Sequence, residues 1–256
     1  MRRAPVVASA AALTGIALTS VVPTATRSGP VLVELFTSEG CSSCPPADAL
    51  LQSLVEAQPD IIALEQHVDY WDRLGWKDRF SSAALTSRQQ QYGRAFNVES
   101  IYTPQMVVDG REQFVGSDAS AARRAIAKAL SAPHAEVSIA LELTGPDRVA
   151  VTVKTGSVPE ISRSDRADTL LAVTEDRLRS DVRSGENRGR QLTHTAVVRE
   201  LRTIRQGATL DSAARTEVTI APAWQRDQLR IVVFVQERAS RRVLGAAAAA
   251  VPHVPR

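Results

Sequence analysis

The chain has 256 residues, 44% of them apolar and 23% charged, a globular composition that excludes a disordered or collagen-like chain. Its length suits one large domain or two ordinary ones, each able to bury a core. The formal net charge is +3, Arg supplies 28 of the 31 basic residues, and no dense basic stripe interleaved with aromatics occurs, so no nucleic-acid partner is expected.

Residues 1–26 read as a signal peptide. Arg2 and Arg3 form a charged start, a mostly apolar run extends from Ala4 to Val22, and small residues follow around Pro23–Thr26. Removing them leaves 29 basic and 28 acidic residues, so the basic balance is largely an export signature. An uncleaved N-terminal anchor is the alternative. No later stretch is long and apolar enough to span a membrane, and the expected location is secreted or periplasmic.

Val31–Phe36 reads as a buried strand and Thr37–Gly40 as a turn. A helix opening with Cys41-Ser42-Ser43-Cys44 follows, with Pro45 and Pro46 in its first turn, where a missing N–H costs little, and with Ala47, Leu50, Leu51, Leu54 and Val55 at helical spacing. Pro59 stops it, and Ile61–Leu64 begins a second strand running toward His67. The aromatic loop His67–Phe80 leads to a helix capped by Ser81 or Ser82. Thr103-Pro104 precedes a strand over 105–108, and Asp109-Gly110 is the strongest hairpin signal in the chain. Residues 112–115 return, and Ser117 or Asp118 caps a helix ending at Leu130, with Pro133 beyond it.

Strand, helix, strand, helix, strand, hairpin strand, helix is the minimal thioredoxin-like order. After Pro133 the pattern changes to period-two alternation, as in Val137, Ile139, Leu141 and Leu143, in Val149, Val151 and Val153, and in Leu229, Ile231, Val233 and Val235. Further strands are expected near 169–174, 191–204, 215–221 and 243–249. About seven strands with intervening turns predict a β-sandwich. The expected fold is therefore an α/β thioredoxin-like domain over 29–133 followed by an all-β sandwich-like domain over 134–250, with 251–256 as a tail.

Cys41 and Cys44 are the only cysteines. A bridge across two intervening residues removes little chain entropy, so stapling is a poor reason for it. A thiolate is the attacking species in disulfide exchange, and a helix start favours a negative charge. Cys41 is the candidate attacking residue and Cys44 the resolving one, placed so that the two sulfurs come within bonding distance. Thr103 and Pro104 are the candidate substrate platform, with a cis bond expected before Pro104. The expected partner is a protein or small-molecule thiol or disulfide, and no cofactor is expected. His67 with the two cysteines is the alternative copper or zinc set, although the chain lacks the second cysteine pair of a usual zinc site. His134, His194 and His253 look scattered, Glu39 reads as a solvated turn residue, and Glu34 faces away from the cysteines by strand alternation. Gly185–Arg190 reads as a strand connection. A non-catalytic envelope interaction module, with the β-rich half as its working part, is the third reading. Oligomeric state is not readable.

Val33–Asp48, His67–Trp71 with Gly75–Asp78, Tyr102–Gly110, Gly185–Asn187 and Val197–Arg199 together resemble the secreted bacterial family called "domain of unknown function twelve twenty-three", over about residues 30–250. The resemblance implies export and a thioredoxin-like fold, and brings no known substrate. His194 stands where it implies a tyrosine.

Overall fold

A computed structural model describes residue 1 and residues 29–156, 159, 161–207 and 212–252. Residues 2–28, which hold the expected signal segment, and residues 253–256 of the expected tail lie outside these. Among the described residues no helix is long and apolar enough to cross a membrane.

The apolar run Val31–Thr37 forms β1, buried at every position. A strand buried on both faces needs a layer on each side. α1 (Pro45–Ala57) follows and leads to β2 (Ile61–His67), which pairs with β1 in parallel from Val31↔Ile61 to Thr37↔His67. α2 (Ala83–Ala95) is capped by Ser82, whose side chain accepts from the Leu85 N–H. β3 (Gln105–Val108) and β4 (Glu112–Val115) form the Asp109-Gly110 hairpin, with φ of 49° and 60° at its two central residues, as a type I′ turn requires. α3 (Ala119–Leu130) is capped by Asp118.

The second half is built from β5 (Val137–Gly145), β6 (Arg148–Thr155), β7 (Ala167–Glu175), β8 (Leu178–Asp181), β9 (Gln191–His194), β10 (Val197–Arg205), β11 (Ser212–Thr219), β12 (Leu229–Glu237) and β13 (Val243–Ala250). The strand expected over 191–204 is split into β9 and β10 around Thr195-Ala196.

These strands do not form a separate sandwich. The main sheet has eight strands in the order β13-β12-β7-β10-β2-β1-β3-β4, so four strands of the second half extend the sheet of the first. The expected α/β thioredoxin-like domain followed by a β-sandwich is thereby overturned: the described residues are dominated by one large mixed sheet, with three α-helices among them. The physical reason is the edge of β2, where β10 joins in parallel at Val197↔Glu65. Glu65 N–H also donates to the Ala196 carbonyl at 2.9 Å, so that edge is paired rather than exposed.

Side-chain alternation assigns the two faces. Val31, Val33 and Leu35 pack with Ala47, Leu51, Ala122 and Ile126 of α1 and α3. On the same face the three-stranded sheet β11-β6-β5 covers Leu171, Val173, Ile231 and Val233. On the opposite face Leu32, Ile62, Leu64 and Leu85 share one core with Leu170, Ala172, Val232, Phe234 and Val243. The sheet is curled enough that β13 returns to the β3–β4 turn, where Val243 N–H donates to the Asp109 carbonyl at 2.8 Å. At Gly110 a Cβ would lie 1.9 Å from the Arg241 carbonyl oxygen, so only glycine allows that approach.

Glu34 sits on the α2 face and accepts from Arg88 Nε at 2.6 Å, Gln66 Nε2 at 2.5 Å and the Tyr92 hydroxyl, while Arg88 also reaches Gln236 of β12 at 3.1 Å. Burial alone would raise the Glu34 carboxyl, but the Arg88 charge holds it below the usual range.

Because the core and this ion network both cross residue 133, residues 29–133 expressed alone are expected to unfold without a cooperative denaturant transition. A sharp transition with native-like near-ultraviolet circular dichroism would show that this half folds by itself.

Candidate functional site

Cys44 is the N-cap of α1, and Cys41 lies in the turn before it, where the Cys44 N–H donates to the Cys41 carbonyl at 3.1 Å. The helix thus begins after the motif rather than with it, because Pro45 takes the first helical position. The two sulfurs form a disulfide. Both cysteines are fully buried, although Ser42 and Ser43 between them are exposed.

Thr103 and Pro104 are joined by a cis peptide bond. Thr103 Oγ1 accepts from Trp71 Nε1 at 2.8 Å, and Trp71 packs against Gly40, where an added Cβ would meet it at 3.2 Å. A Cβ on Gly116 would meet both Pro104 and Ala47, at 3.0 and 3.1 Å, which places Pro104 against the first turn of α1. The structure thus brings the two motifs to the same end of the sheet.

Thr37, Glu65 and His67 continue the alternation that faces α1, at the ends of β1 and β2. Here three carboxylates and two imidazoles alternate. Asp78 Oδ2 lies 2.6 Å from His67 Nδ1, His67 Nε2 lies 3.1 Å from Glu65 Oε1, and Glu65 Oε1 lies 2.7 Å from His194 Nδ1. His194 Nε2 is 3.4 Å from Glu39 Oε1, an ion-pair separation rather than an aligned hydrogen bond. All five side chains are buried, which a set of charges requires to be mutually paired. Glu39, expected in solvent, also accepts from Trp76 Nε1 at 2.7 Å, and its N–H donates to Asp78 Oδ2 at 2.9 Å.

Burial would lower both histidines, but the Asp78 charge lifts His67 well above its ordinary value. The Glu65 charge and hydrogen bond, with the nearby Glu39 carboxylate, lift His194 to about 9. Burial would raise Glu65 and Asp78, and the His194 and His67 charges bring each down to about 2. Glu65, His67 and His194 also place three potential metal-ligand atoms within 4.8 Å of one another. Because a carboxylate lies beside each ring nitrogen, the imidazolium form of both rings is favoured. The alternative set of Cys41, Cys44 and His67 is not assembled: the cysteines are bonded to each other, and both His67 nitrogens face carboxylates.

Two further groups escaped the sequence reading. Asp48 lies one helical turn beyond Cys44, its N–H donating to the Cys44 carbonyl at 3.1 Å, and its carboxylate accepts from Thr37 Oγ1 at 2.7 Å. Burial, reinforced by the Glu65 charge, pushes Asp48 up to about 7. Spacing of four from Cys44 on a helix was the available signal. Asn187, in the segment read as a mere connection, donates from Nδ2 to the carbonyls of Glu39 and Cys41, each at 2.9 Å.

The architecture recurs as a whole in solved structures. An X-ray structure of a protein from Agrobacterium tumefaciens matches with 27% identity and a TM-score of 0.68, covering 90% of this chain and 98% of that one. HBP35 of Porphyromonas gingivalis shares the fold at 13% identity and a TM-score of 0.63, with 88% of this chain and 76% of that chain covered. No curated protein matches. The chain belongs to the family described as "Protein of unknown function (DUF1223)", which matches residues 32–236.

The stability that His194 contributes is fully present below its unfolded value of 6.5 and is lost as pH rises through about 9. The difference in unfolding free energy between wild type and His194→Gln, read by denaturant titration, is therefore expected to be widest near pH 6, on the order of 3 kcal/mol, and to close above pH 9. A gap constant from pH 6 to 10 would contradict the charged pairing.

Proposed function

We propose that this protein is a thiol–disulfide oxidoreductase acting on a protein or small-molecule thiol or disulfide. The observation that carries the reading is the Cys41–Cys44 disulfide at the N-cap of α1, formed by the only cysteines of the chain, with the buried Asp48 one helical turn beyond it. An exported location, expected from residues 1–26, fits a protein that holds this bond oxidised.

In the reduced protein the Cys41 thiolate attacks a substrate disulfide. A Cys41–substrate disulfide forms and one substrate thiolate leaves. The Cys44 thiolate then attacks the Cys41 sulfur, the protein disulfide closes and the second substrate thiolate leaves, so that the protein is oxidised and the substrate reduced. The reverse sequence oxidises a substrate dithiol, and the relative potentials set the direction. Thr103 and Pro104 form the platform beside the motif. Asp48 takes the proton from the Cys44 thiol before closure and returns it on opening, since a carboxyl titrating near 7 matches that task.

A Cys44→Ser protein is expected to trap partners as mixed disulfides on Cys41, read by diagonal non-reducing electrophoresis. No captured partner, together with unchanged phenotypes for Cys41→Ser, would favour a structural bridge in an interaction module. Asp48→Asn is expected to slow mixed-disulfide resolution about a hundredfold and to abolish its titration near pH 7, followed by quenched-flow alkylation. A variant with wild-type rate and pH profile would remove Asp48 from the mechanism.

A further inference from the structure

The motif lies at the surface, yet neither sulfur is accessible. The segment that crosses it comes from the far half of the chain. β8 and β9 form a two-stranded sheet of their own, outside the eight-stranded sheet, and residues 182–190 connect them. That loop is closed on itself: Val182 N–H donates to the Arg190 carbonyl at 3.0 Å and Gly189 N–H to the Val182 carbonyl at 2.8 Å. Arg188 and Arg190 N–H groups donate to the carbonyls of Gly185 and Asn187 at 3.2 and 3.0 Å. Its internal backbone bonds therefore survive if it swings as a unit.

Val182 at the base of the loop is buried, and the loop's polar hold on the motif consists of a few contacts. Asn187 Nδ2 takes the carbonyls of Glu39 and Cys41, and Glu186 Oε2 accepts from the Ser42 N–H at 2.9 Å. Ser184 Oγ donates to the Gly75 carbonyl at 2.5 Å. Gly185, at φ +74°, lies against Trp76, where a Cβ would come within 3.0 Å, so the loop needs glycine to sit this close. Asn187 is fully buried and its Oδ1 has no hydrogen-bond partner. A pin made of side chains on backbone groups is reversible, since each such bond nets little against water.

We propose that residues 182–190 are a gate over the Cys41–Cys44 disulfide, with Asn187 as its pin and Glu186 as a second, weaker hold. Exchange at either sulfur then requires the loop to lift from the backbone of residues 39–42. The gate's purpose rests on the exchange reading above, but it is defined without a substrate.

The test uses the full chain and dithiothreitol, which becomes its cyclic disulfide as the protein bond takes up two electrons and two protons. Reduction is followed by acid quench, alkylation and intact mass, beside the hydrogen exchange of the Ser42 amide. Asn187→Ala is expected to be reduced about tenfold faster than wild type, equivalent to about 1.4 kcal/mol of closure, with Ser42 exchange accelerated by a similar factor and the global unfolding rate unchanged. Glu186→Gln, altering a side chain outside the core, is expected to give a smaller increase in both. If Asn187→Ala fails to fold, Glu186→Gln and wild-type exchange decide: the gate requires Ser42 to exchange through an opening far below global unfolding. Folded variants reduced at the wild-type rate, or a Ser42 amide that exchanges only on global unfolding, would overturn it. Failure to trap a partner with Cys44→Ser leaves the gate standing, whereas ungated reduction leaves exchange standing.

Discussion

Glu65 carries a carboxylate into the interior of the sheet, and the structure is arranged around neutralising it. Two imidazoles face one of its oxygens, and the Thr195 N–H donates to the other at 2.7 Å. An unpaired charge at this depth would be prohibitive, so β2 is completed only when residues 194–197 arrive. Their arrival places β10 on the edge of β2, extends the sheet by four strands and sets the β8–β9 hairpin beside Cys41. The joint between the halves and the environment of the disulfide are therefore one interaction seen from two sides.

The opposite face has its own buried charge. Glu34 and Arg88 are joined there by Tyr92, Gln66 and Gln236, contributed by β1, β2, α2 and β12. Such pairs add little net stability over an apolar core, but removing one partner leaves an uncompensated buried charge and is strongly destabilising. With Glu65 on one face and Glu34 on the other, β1 and β2 are keyed on both sides to elements remote in sequence.

Local pattern made much of the chain readable. The Asp109-Gly110 hairpin, the Asp118 cap and the alternating strands all follow from short-range rules, as does the disulfide motif itself. Pairing partners do not: alternation in Ile231, Val233 and Val235 says that one face is buried, not which strand lies beside it. The sandwich expectation failed for that reason, since β5 to β13, residues 134–250, read equally well as a closed unit. His194 looked isolated because its partners, Glu65 and His67, sit on a strand far upstream, and Glu39 looked solvated because the groups covering it come from the aromatic loop and β9. Asn187 stood out only as part of the Gly185–Asn187 motif, with nothing to give it a role, because it reaches backbone carbonyls, which any residue provides.

The pin and the motif it holds are 146 residues apart. A ribosome adding about 5–20 residues per second makes Cys41 roughly 7 to 30 seconds before Asn187. During that interval the thiols lie open to whatever oxidant or reductant surrounds the nascent chain. Once Asn187 has docked on the carbonyls of Glu39 and Cys41, exchange at these thiols is slowed rather than prevented, because the contacts that hold the loop are reversible.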